Sequence, residues 1–83
     1  MRKHRAVTSL IGECAADTAR RMGWKPGTSL IGDEGQGPTI IEITAIGERS
    51  VLAKAISHNG QDEPNPWETT WDFSCRDWKP VKA

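Results

Sequence analysis

Between Trp24 and Gly60 the chain is broken by Gly or Pro at positions 26, 27, 32, 35, 37, 38, 47 and 60. Such punctuation excludes a long helix, because each Gly or Pro weakens or ends helical hydrogen bonding; short strands joined by tight turns fit between the breaks. A first strand is confined to about Thr28–Gly32, with a loop over 32–38. Residues 39–46 follow as a β-branched strand in which Ile41, Ile43 and Ala45 alternate with Glu42 and Thr44. Gly47-Glu48-Arg49 makes a turn, and Ser50–Ser57 returns as the second arm of a hairpin. Its alternation is weaker, since Val51, Leu52 and Ile56 do not share one face, the pattern of a twisted strand covered on both sides. Asn59-Gly60 begins a polar loop that ends in Pro64-Asn65-Pro66.

The next stretch, "WETTWDFSC" over 67–75, has a strict period of two. Trp67, Thr69, Trp71, Phe73 and Cys75 fall on one face and Glu68, Thr70, Asp72 and Ser74 on the other, the signature of a half-buried antiparallel strand. A chain of 83 residues buries only about 60–65% of its unfolded surface. With no Tyr and 6% aromatic residues, it needs its large rings inside, so Trp71, Phe73 and Cys75 are assigned to the core. Trp67, at the mouth of the strand, and Trp78, out of phase beyond Arg76-Asp77, are open to two readings: core, or contact surface.

Ahead of these strands, residues 8–22 read as a helix. Val7, Leu10, Ile11, Cys14, Thr18 and Met22 recur at spacings of three and four and form one stripe. Thr8 or Ser9 is placed as N-cap, Arg20 and Arg21 suit the negative end of the helix dipole, and Gly23 suits the left-handed position that closes it. Gly12 inside costs roughly 1 kcal/mol relative to Ala, so this helix depends on packing against the strands. The architecture expected is mainly β with one N-terminal helix: a basic arm over 1–7, then a single domain over 8–83. That domain holds the helix at about 8–22 and a small SH3-like antiparallel β-barrel at about 24–81, with an open α+β meander as the alternative.

Formal charge sums to zero but is unevenly spread. Residues 1–25 carry net +4, residues 26–72 net −6, and the tail from Phe73 net +2. The acidic middle would repel nucleic-acid phosphates, leaving Arg2, Lys3, Arg5, Lys79 and Lys82 at the two ends as the candidate contacts for nucleic acid. The apolar run Leu10-Ile11-Gly12 is too short for a secretory signal, and Glu13 before Cys14 does not suit a lipoprotein cleavage site, so a cytoplasmic location is expected. No segment reaches the ~18 apolar residues of a membrane span. Cys14 and Cys75 are expected as free thiols, with one bridge as the alternative in an oxidising compartment.

No catalytic pattern stands out. Cys75 and His58 are a nucleophile and a base by type, but Cys75 belongs to an apolar face and nothing in the sequence brings His58 to it. His4, Cys14, His58 and Cys75 contain no close-spaced ligand pair, so no metal and no cofactor are expected. "GDEGQG" over 32–37 lacks the Lys-Ser/Thr of a phosphate loop, and Asp33 and Glu34 oppose a phosphate; it reads as a tight loop, or as an acidic tip offered to a basic partner. Arg76 and Trp78 in "SCRDW" belong to residue types enriched in interaction hot spots, set against a role fastening the chain end. The expectation is a non-enzymatic binding module with Asp33, Glu34, Trp67, Arg76 and Trp78 as partner contacts, oligomeric state open.

The pieces "GDEGQGPT", "ITAIGE", "SHNG" and "SCRDW", spread over Gly23 to Trp78, resemble a family of small uncharacterised proteins encoded by tailed bacteriophages and prophages. Gln36 stands where that family more often carries an aromatic residue, so an aromatic contact in that loop is not carried over. The resemblance implies origin and company rather than mechanism: a phage accessory protein in the bacterial cytoplasm whose partner is a host or phage protein.

Overall fold

The turn that precedes the helix is organised by one carboxylate. In a computed structural model that describes residues 9–33, 37–73 and 77–81, with Asp33 described in its backbone alone, Glu13 Oε1 accepts hydrogen bonds from the Leu10 N–H (2.9 Å) and the Thr18 hydroxyl (2.8 Å). Both carboxylate oxygens also meet the Arg21 guanidinium, at 2.9 and 3.1 Å. The Ser9 hydroxyl joins this knot through Thr18 Oγ1 at 2.7 Å. The Glu13 N–H returns to the Leu10 carbonyl, and Gly12 takes a positive φ of 80°. In a helix from residue 8 the Glu13 N–H would reach the Ser9 carbonyl; here it closes a tight turn on Leu10. Helix α1 therefore spans Ala15–Met22 instead of starting at residue 8.

The expected stripe breaks for the same reason. Leu10 and Ile11 are 58% and 106% exposed, and Met22 is exposed as well, while Ala16, Thr18 and Ala19 form the buried face. Cys14, not Thr8 or Ser9, is the N-cap and offers no side-chain bond; the Ala16 N–H donates instead to the Arg49 carbonyl (3.1 Å). The C-terminus does follow the sequence reading. Gly23 is left-handed with φ 78°, its N–H goes to the Arg20 carbonyl, and the Trp24 N–H goes to the Ala19 carbonyl, the paired bonds of a Schellman motif.

Among the described residues six strands follow: β1 Ser29–Asp33, β2 Pro38–Ile46, β3 Val51–His58, β4 Gln61–Asp62, β5 Glu68–Trp71 and β6 Lys79–Pro80. All pair antiparallel in one sheet of order β4-β3-β2-β1-β6, with β5 also on β3. The sheet is not closed. Two register shifts interrupt the β2–β3 ladder, between Ile40/Ile41 and between Ile43/Ala45. The first leaves Ile56 unpaired between Ser57 and Ala55, where a bulge adds twist and bends the strand. The buried residues Val51, Ala53 and Ser57 share one face by the ordinary period of two, which leaves Leu52 and Ile56, both partly buried, on the other.

Only part of the 67–75 face is buried. Trp71, opposite buried Val51, packs partly against the core and Phe73 is fully buried, but Trp67 and Thr69 are exposed. β5 is an edge strand whose ladder ends at Lys54↔Glu68; Trp67 lies beyond that last pair. Cys75 lies outside the described residues. Trp78 is 2% exposed and packs edge-on against Trp71 (6.0 Å between ring centroids) and Phe73 (6.3 Å). Phe73 in turn meets Trp24 at 5.1 Å. Leu30, Ile41, Ile43, Val51 and Ala53 complete the core with the helix alanines. Among the described residues, no helix is long and apolar enough to cross a membrane.

Two outcomes follow from this packing. Trp78→Ala removes a buried ring and is expected to cost about 3–5 kcal/mol, a large share of the ~5–15 kcal/mol that holds a domain together. Trp67→Ala should stay within about 0.5 kcal/mol. Urea unfolding followed by circular dichroism compares the two, and equal losses would contradict the placement of Trp67. Glu13 provides the second outcome. The Arg21 hydrogen bonds, then the Leu10 N–H, lower its pKa from 4.5 to about 2. A depressed carboxylate contributes stability that is whole above its unfolded value and is lost as pH falls through its folded one, here between about pH 4.5 and about pH 2. Glu13→Gln should flatten the acid limb of the stability profile in that window; an unchanged limb would show that other groups govern it.

Candidate binding cleft

A hollow of the surface arises from the way two short strands share one edge of β3. β5 takes Val51 to Lys54 and β4 takes Ser57 and His58, so Ala55 and Ile56 stand between the two ladders. Local sequence dictates this division. Asn59 and Gly60 both adopt positive φ, 56° and 85°, the two-residue turn that returns a strand at once beside its predecessor. β4 then stops after Asp62. Pro64 and Pro66 have no N–H to continue a ladder, and the Glu63 N–H makes one last bond to the Ile56 carbonyl (2.9 Å). The chain leaves the sheet over 63–67 and rejoins the same edge at Glu68.

That excursion encloses a cleft of about 320 Å³ lined by Ala55, His58, Glu63, Asn65 and Trp67. Ala55 is the one lining residue that is not exposed, and its small side chain leaves the hollow open between its larger neighbours. Trp67 is 79% exposed. The His58 ring is anchored by its Nδ1, 3.2 Å from the Thr39 hydroxyl on the neighbouring strand. Glu63 makes a single long contact, accepting from the Asn65 N–H at 3.5 Å, so its carboxylate retains acceptor capacity. Asp62 and Glu68 flank the excursion on its two sides, with Lys54 opposite Glu68 in the ladder. Aromatic face, carboxylate, amide and imidazole here surround a space suited to holding one side chain by stacking, charge and hydrogen bonding.

The residues singled out from sequence are distributed differently from what their grouping suggested. Trp67 is at the surface and lines the cleft. Of the two readings open for Trp78 the structure shows core: it is held there by Trp71 and Phe73, in the approach to β6 and outside the β5 alternation, and so is not exposed to a partner. Lys79 is exposed on β6 and sits 3.7 Å from Asp77 in an ion pair; the two border a second hollow with Ile31, Gly32 and Pro38. Asp33 ends β1. Its side chain lies outside the described residues, as do Glu34, Arg76, Arg2, Lys3, Arg5 and Lys82. His58, Glu63 and Asn65 were missed as a group. Asn-Gly followed closely by Pro-x-Pro, a tight hairpin turn and then a forced exit from the sheet, is the signal that could have found them.

Among the described residues, no cluster of three His, Cys, Asp or Glu side chains could hold a metal ion. No curated protein and no solved structure matches this chain. Residues 13–83 match the family described as a domain of unknown function, DUF7241, and the chain belongs to that family.

Proposed function

We propose that this protein is a binding module without catalytic activity of its own, which grips another protein through the cleft beside Trp67. The observation that carries this reading is the position of that ring. The other aromatic side chains, Trp24, Trp71, Phe73 and Trp78, lie in or against the core, whereas Trp67 stands 79% exposed at a concave site. A fully buried ring of this kind is worth roughly 1.5–3 kcal/mol or more, and a small domain that forgoes it has that surface available for a partner. Large aromatic anchors in pockets carry much of the energy of protein interfaces.

The wider reading is an accessory protein of phage or prophage origin, working in the bacterial cytoplasm, that inhibits or redirects a host or phage protein. Its scaffold is read as an SH3-like small barrel left open between β5 and β6; the edge-on contact of Trp71 with Trp78, which ties the segments at those two edges, supports that reading.

Tagged protein and its Trp67→Ala variant, passed through nuclease-treated bacterial lysate over a salt series, test the proposal. A protein retained by the parent and lost at least tenfold by the variant, with the unfolding midpoint unchanged, is the expected result. Retention indifferent to Trp67, or retained material that is nucleic acid and washes off with salt, would overturn it and return attention to the basic termini.

A further inference from the structure

We infer that the group received by the Trp67 cleft is a guanidinium, the side chain of an arginine on the partner protein. The inference rests on the binding-module reading and narrows it to one ligand chemistry. Its starting point is charge. The stretch 54–68 that builds the cleft carries net −2, Lys54 standing against Asp62, Glu63 and Glu68, and of the five lining residues Glu63 is the carboxylate while none is Lys or Arg. Asp62 and Glu68 stand on either side of the excursion. An anionic ligand would meet this field unfavourably; a cation would be drawn to it.

The kind of cation follows from the walls. Exposed Trp67 offers the indole face, the strongest of the aromatic faces for a cation, and Glu63 offers two carboxylate oxygens with one long contact between them. A guanidinium satisfies both at once. It is flat enough to stack on indole, holds its donors in a fork that matches a carboxylate, and surrenders hydration more readily than the compact ammonium of lysine. The Asn65 side-chain carbonyl adds a neutral acceptor on the same rim. Size agrees as well: about 320 Å³ is at the small end of ligand sites, enough for one side chain and too little for a folded element.

The test uses the 83-residue chain and three short capped peptides, identical except for a central arginine, lysine or citrulline. Citrulline keeps the planar shape and loses the charge. Binding is followed by NMR at the Trp67 indole N–H, identified as the resonance missing in Trp67→Phe. The arginine peptide should saturate this shift with a dissociation constant of about 1 mM, and the lysine and citrulline peptides should bind at least several-fold more weakly. Glu63→Gln should weaken the arginine peptide by about tenfold, the scale of a charge-assisted hydrogen bond, while leaving the unfolding midpoint in place.

Equal binding of citrulline, equal binding of lysine, or indifference to Glu63→Gln would each overturn the assignment. The two proposals fail separately. If no peptide binds yet Trp67→Ala still abolishes partner retention, the guanidinium is wrong and the module stands; if the arginine peptide binds as expected but retention ignores Trp67, the cleft is an arginine site and the module reading falls.

Discussion

The fold hangs on a chain of edge-on aromatic contacts running Trp24, Phe73, Trp78, Trp71. Trp24 follows the helix, Phe73 follows β5, and Trp78 precedes β6, so a ring from the helix end meets two from the far end of the chain and ties together elements that share little backbone pairing. Edge-on pairs contribute about 0.5–1.5 kcal/mol each beyond the area they bury. Phe73 is held twice, since its carbonyl also accepts the Ser9 N–H at 3.0 Å. The β ladder leaves the sheet open between β5 and β6. Side-chain packing spans that gap instead, and in a chain this short few other residues could fill the space.

A second constraint acts at the helix. Eight residues are too few to be stable alone in water, and α1 is held from both sides. On one side lies the Glu13 knot. On the other, Arg20 donates to the carbonyls of Gly47 and Glu48 in the β2–β3 turn, and the Ala16 N–H reaches Arg49. Helix and hairpin turn thus satisfy each other's unpaired backbone groups, which explains how a helix without a side-chain N-cap remains in place. The cost is that Leu10 and Ile11 are carried on the outside of the turn, Leu10 more than half exposed and Ile11 fully so.

The cleft is a by-product of the same economy of length. One edge of β3 must serve two short strands, and the proline-containing excursion between them cannot lie flat against it. What is left is a gap floored by Ala55 and walled by groups of mixed chemistry. Trp67 sits one residue before β5, beyond the last pair of the ladder, so its ring stands at the rim of the cleft and outside the core.

Local chemistry was sufficient to read several parts of this protein in advance. Gly and Pro spacing placed β1, β2 and β3 nearly to the residue, and Gly23 marked the helix end, because backbone conformations of that kind are set by the residue that occupies them. Helix initiation was not legible in this way. The stripe from Val7 to Met22 has helical spacing, but the Glu13 N–H turns to the Leu10 carbonyl and not to that of Ser9, as a helix would require, in a turn held by the tertiary meeting of Glu13 with Arg21 and Thr18. The alternation over 67–75 likewise named a face without saying how far the core extends beneath it. Trp67 and Trp78 are identical in chemistry, and each lies at the margin of a strand. One is exposed and the other buried because β5 runs off the edge of the sheet while the approach to β6 crosses its core, a difference that exists only once the strands are assembled.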